Sequence, residues 1–137
     1  MEKMKIKKGD IKEAVEKIPS RATKERWVLT LDRDEGTFYY APKVIPSNTE
    51  LRQITDEYAV YFDKNLEPKG VMIEYYDVNF IKHHNKIAKI SKKVFGTGGK
   101  KTKTVDPTKG LKNEYMALKT ILDSTLLDEA QTRMIPA

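Results

Sequence analysis

A chain of 137 residues suffices for one domain with a real core and is short for two. Its composition, 39% hydrophobic and 34% charged, fits a globular protein rather than wholesale disorder, and no apolar run approaches the roughly 20 residues of a membrane span. The lack of cysteine excludes disulfides, thiol nucleophiles, CxxC redox chemistry and Cys-based metal sites, and with no signal-peptide pattern the expected location is cytoplasmic.

The net charge of +6 is unevenly placed. Lys and Arg outnumber Asp and Glu by 9 to 5 over residues 1–31 and by 10 to 1 over 80–112, whereas acids lead by 10 to 5 over 32–79 and by 4 to 2 over 113–137. A basic patch beside an acidic body is therefore expected, suited to nucleic acid or to charge-matched protein association.

In chain order, Asp10 with Glu13 three residues on reads as a capping box before a short helix. Its apolar stripe is Ile11, Val15 and Ile18, and Pro19-Ser20 is expected to end it. Trp27 to Leu31, the polar turn Asp32 to Gly36, and Thr37 to Ala41 read as a hairpin of β-branched and aromatic residues. A second hairpin follows, with strands at Glu57–Phe62 and Val71–Tyr76 around the turn Asp63 to Gly70. The connector from Pro42 to Ile54, with Pro42 and Pro46, reads as turn rather than central strand. From residue 80 to 95 a basic amphipathic helix is expected, with Ile87, Ile90 and Val94 on its apolar stripe and Gly96 as its stop. Residues 96–108, rich in Gly, Lys and Thr, read as a flexible loop, and 110–130 as a C-terminal helix with Leu111, Tyr115, Leu118, Leu122 and Leu126 recurring at helical spacing.

The fold class expected is α+β in a single domain, 1–137. A small antiparallel four-stranded sheet from two hairpins, the β-rich body of 25–79, packs with the short N-terminal helix, the basic helix and the C-terminal helix.

The paired hairpins carry a resemblance. Leu31-Asp32-Arg33-Asp34-Glu35-Gly36-Thr37-Phe38-Tyr39-Tyr40, then Tyr58-Ala59-Val60-Tyr61-Phe62-Asp63 and Gly70-Val71-Met72-Ile73-Glu74, make residues 27–79 similar to a family of small prokaryotic β-rich domains of unknown function. Gly70, Glu74 and Asp63 stand at matching positions. The resemblance implies a compact β-rich body and no reaction.

Several motifs fail on inspection. Gly99-Lys100 would end a Walker loop, but Val94 holds the first Gly position and Lys101 the Ser/Thr position. Asp63-Lys64-Asn65-Leu66-Glu67 starts like a calcium loop, yet Pro68 takes the place of its glycine. Lys69 to Tyr75 echoes an RNA-recognition strand, but Met72 and Glu74 occupy the positions that need stacking aromatics. His83 and His84, the only histidines, point about 100° apart on a helix and have no Cys or His to complete a set; they read as polar surface. The acids Asp32, Asp34 and Glu35, a cluster that Asp77 could join, read as ordinary residues of a solvent-facing turn. The expectation is a non-enzymatic protein with no cofactor, no metal site and no membrane contact.

Two functions remain open. One is a nucleic-acid-associated or regulatory protein whose Lys86, Lys89, Lys92, Lys93, Lys100, Lys101 and Lys103 meet phosphates without reading sequence, lysine suiting backbone contact better than bidentate base recognition. The other is a protein-interaction or inhibitor module, homodimeric or bound to an acidic protein. Its interface would use the aromatic face of Tyr39, Tyr61 and Tyr75 or the helix face of Tyr115, Leu118, Leu122 and Leu126.

Overall fold

Alternation along the two aromatic hairpins builds the centre of a six-stranded antiparallel sheet of order β3-β4-β5-β2-β1-β6. The computed structural model describes residues 8–96, 102–108, 110 and 112–135. The strands are β1 (Val28–Asp32), β2 (Thr37–Ala41), β3 (Glu50–Gln53), β4 (Ala59–Phe62), β5 (Pro68–Ile73) and β6 (Thr102–Val105). The helices are α1 (Lys8–Glu16), α2 (Ile18–Lys24), α3 (Asn85–Phe95) and α4 (Lys112–Arg133), with a π-helical turn at Tyr76–Phe80 and a 3₁₀ turn at Ile81–His83.

Strand register sorts the side chains. Leu29 opposes Tyr40 and Leu31 opposes Phe38, while Phe38 opposes Ile73, Tyr40 opposes Val71 and Val71 opposes Val60. All of these are buried in one cluster with Ile11, Val15 and Ile18 of the N-terminal helices, Ile87 and Val94 of α3, and Leu118, Leu122 and Leu126 of α4. The molecule is thus two layers, one sheet face covered by helices. The other face carries Thr30, Tyr39, Tyr61 and Met72, all half-buried.

The four-stranded expectation is corrected. The two hairpins are the inner strands β1, β2, β4 and β5, joined through β2 and β5, and two further strands flank them. Residues 50–53, read as part of a connector, pair with β4, and residues 102–105, read as loop, pair with β1, where the Thr30 and Thr104 hydroxyls hydrogen-bond at 3.0 Å. Both are edge strands, which need partners on one side only and so tolerate polar composition.

Boundaries shift for local reasons. Pro19 does not end the first helix but opens α2, because proline is preorganised for a helix's first turn, and Asp10 lies inside α1, in its first turn. The fifth strand starts earlier, at Pro68, and ends at Ile73, because Tyr75 turns left-handed (φ 54°) before the π-helical turn. Basic helix α3 starts at Asn85, since His84 leaves helical geometry, and α4 runs three residues past its expected end.

Candidate functional site

Where the sequence placed an interface, the structure divides the residues. Tyr115, Leu118, Leu122 and Leu126 are buried core, and the Tyr115 hydroxyl donates to the Trp27 carbonyl. Tyr39 and Tyr61 are half-buried on the outer sheet face, the Tyr61 hydroxyl 3.8 Å from Met72 Sδ; Tyr75 is 64% exposed and lies after the sheet has ended. Of the lysines, Lys86, Lys89, Lys92 and Lys93 are exposed along α3, whereas Lys103 is half-buried and donates to the Val94 carbonyl at 2.7 Å. Lys100 and Lys101 lie outside the described residues.

A different set of side chains converges at one end of the helical layer. Glu57 comes from the β3–β4 loop, His84 from the junction of the 3₁₀ turn with α3, and Glu129 from the last two turns of α4. One donor atom from each lies within 4.8 Å of the others. His84 Nε2 is 2.9 Å from Glu57 Oε2 and 3.9 Å from Glu129 Oε2, and His83 Nδ1 stands 3.4 Å from Glu57 Oε1.

Each residue is held from behind. The Glu57 loop is tied by Glu57 N–H donating to Thr55 Oγ1 at 3.1 Å and by Gln53 Nε2 donating to the carbonyls of Thr55 and Tyr58. The Tyr58 hydroxyl donates to the Leu126 carbonyl at 2.7 Å, fixing that loop to α4 one turn before Glu129. The ring of His84 packs on Phe80 at 4.5 Å, and Phe80, Tyr76 and Phe38 continue the contact as a file of stacked rings to the sheet. Donors held this firmly lose little freedom on gathering round an ion.

Electrostatics distinguish the cluster from a routine ion pair. Glu129 is 4% exposed, and neither of its carboxylate oxygens has a hydrogen-bond partner among the described residues. Burial, reinforced by the negative charge of Glu57, pushes its carboxyl up to about 7, against a smaller opposing pull from Arg133. Protonation removes the charge and still leaves buried oxygens unpaired, a condition that costs about 1–3 kcal/mol. A cation among the three donors satisfies Glu129 directly. Ligands of one ion at bond lengths of about 2.0–2.2 Å sit roughly 3–4 Å apart, so the three donors, now within 4.8 Å of one another with His84 hydrogen-bonded to Glu57, need only small side-chain shifts to share an ion.

The cluster opens on a cleft of about 580 Å³ whose rim includes Asp56, Asn79, His83, Asp128 and Arg133. Reading His83 and His84 as surface missed it because the completing ligands are carboxylates from distant segments. One signal was available: Glu129 follows Leu118, Leu122 and Leu126 at helical spacing, a carboxylate in line with an apolar stripe.

No protein-family model, curated protein or solved structure matches the chain.

Proposed function

We propose that the protein binds one divalent transition-metal ion through Glu57, His84 and Glu129. The carrying observation is the buried carboxylate of Glu129, without a hydrogen-bond partner among the described residues, facing an imidazole and a second carboxylate. One nitrogen and two carboxylate donors suit zinc, manganese or ferrous iron better than calcium or magnesium, which prefer all-oxygen surroundings. Three protein ligands leave room for water or substrate on the cleft side, the arrangement of hydrolytic metal sites rather than closed structural ones. His83, against the outer oxygen of Glu57, stands where it can turn in as a fourth ligand or orient Glu57.

The test is isothermal titration of the chelator-treated full chain with Zn²⁺ and Mn²⁺, with metal content measured after dialysis. The expected result is one ion per chain, with affinity at least tenfold weaker in Glu129→Gln and His84→Ala. Saturation unaffected by either substitution, in variants whose circular dichroism matches the parent, overturns the proposal.

A further inference from the structure

A second feature, separate from the cluster, is the solvent face of α3. At 100° per residue, Lys92, Lys89, Lys93 and Lys86 fall within an arc of about 120°. Buried Ile87, Ser91, Val94 and Phe95 occupy the opposite side. No acid interrupts the helix, and none of the four lysines forms an ion pair with a described residue. The chain does use many of its other cations internally: Lys17, Arg21, Lys43, Lys69 and Lys119 are all paired with carboxylates. Four adjacent cations left unpaired repel one another, at a cost that a polyanion laid along the helix removes.

We infer that this face docks the phosphate backbone of a nucleic acid, without reading its sequence. The occupant follows from what the face contains and lacks. It has evenly spread lysines, which meet phosphates as point charges, and no arginine fork for bidentate base recognition. It has no exposed large apolar side chain, whereas a protein interface is centred on one. A lipid surface is disfavoured because the apolar side of α3 is committed to the core and has nothing to insert. From Lys86 to Lys93 the helix rises about 10 Å, enough to follow two successive phosphates of an extended strand.

The experiment is fluorescence anisotropy with labelled 20-nucleotide single strands and duplexes, run in EDTA so that the outcome is independent of metal binding. Two phosphate contacts predict that affinity falls about 7-fold on single strands, and about 12-fold on duplex, between 50 and 200 mM salt. Lys89→Gln/Lys92→Gln/Lys93→Gln should weaken binding at least 30-fold at 0.1 M salt. The charge-matched control Lys24→Gln/Lys64→Gln/Lys112→Gln should change it less than threefold. Equal losses in the two triple variants, or no binding above that of an unrelated protein of the same net charge, overturn the inference. So does tighter binding to an acidic peptide or to phosphatidylserine vesicles than to the oligonucleotides.

Discussion

Glu129 Oε2 stands 3.9 Å from His84 Nε2, a carboxylate near the end of α4 facing the imidazole from which α3 departs. Glu57 closes the group from the sheet side. Three segments remote in sequence therefore meet at a point where two acids are buried beside each other, and the ionisation of Glu129 becomes a term in the stability of the whole fold.

The sign of that term is defined. The Glu129 carboxyl rises from its ordinary 4.5 to about 7, chiefly by burial and then by the charge of Glu57, with Asp56 and Asp128 adding slightly and Arg133 opposing. A raised folded-state value means that the native chain holds the proton more tightly than the unfolded one. Its stabilising contribution is complete below pH 4.5 and lost as pH rises through 7, about 3 kcal/mol in all. Urea unfolding of chelator-treated wild type and Glu129→Gln at pH 5 and pH 8 isolates it. The variant should gain about 2–3 kcal/mol on the parent between the two pH values; parallel profiles would show that Glu129 is solvated and already satisfied.

Metal should reverse that loss. An ion at 100 times its Kd stabilises the native state by about 2.7 kcal/mol, or roughly 10 °C in Tm for a domain of this size. Because protons compete for Glu129, the shift should be clear at pH 8 and smaller at pH 5.5. Differential scanning fluorimetry with Zn²⁺ or Mn²⁺ reads both. A shift of the same size in His84→Ala would place the ion elsewhere.

A second polar cluster, with Lys119 buried and Asp123 half-buried, is structural. Asp123 accepts from the Tyr40 hydroxyl at 2.8 Å and from Lys119 Nζ at 2.7 Å, and Lys119 also donates to the Pro19 carbonyl at 3.2 Å, joining α4 to the sheet and to α2. Asp123→Ala strands a buried ammonium and should cost about 3–5 kcal/mol. Tyr40→Phe leaves the ion pair intact and should cost about 1–1.5 kcal/mol. If denaturant melts place the two losses within experimental error of each other, Lys119 is not relying on Asp123 for its charge balance.

How much of this was legible depends on how local each signal is. Phe38 and Tyr40 facing in with Tyr39 facing out is a period-two pattern within five residues, so the inner hairpins were readable. Glu50-Leu51-Arg52-Gln53 and Thr102-Lys103-Thr104-Val105 carry no such pattern. They are edges, and only their partners β4 and β1, reached through long-range pairing, make them strands. The repeating leucines of α4 announced burial correctly in kind, and the chain's own core, with α1 and α3 alongside, provides the surface they bury against. The cluster was least legible, since a set drawn from a loop, a helix start and a helix end has no spacing to search for. Its trace is Glu129 alone, a carboxylate where the stripe calls for leucine.

Gly70 offers the sharpest packing test. A Cβ built there would lie 2.8 Å from Ala41 Cβ, with Tyr61 Cδ2 at 3.5 Å and Ala41 Cα at 3.7 Å in ordinary contact. The constraint is therefore one methyl group at the end of β2 rather than backbone conformation. Gly70→Ala should cost about 1–3 kcal/mol by forcing β5 away from β2. Ala41→Gly alone should cost about 0.5–1 kcal/mol through chain entropy. Combined, the two should be less destabilising than their sum by at least 1 kcal/mol, because the second removes the atom that the first collides with. A double-mutant cycle by urea denaturation measures this coupling, and strict additivity would mean that the strands separate to admit the new methyl whatever stands at position 41.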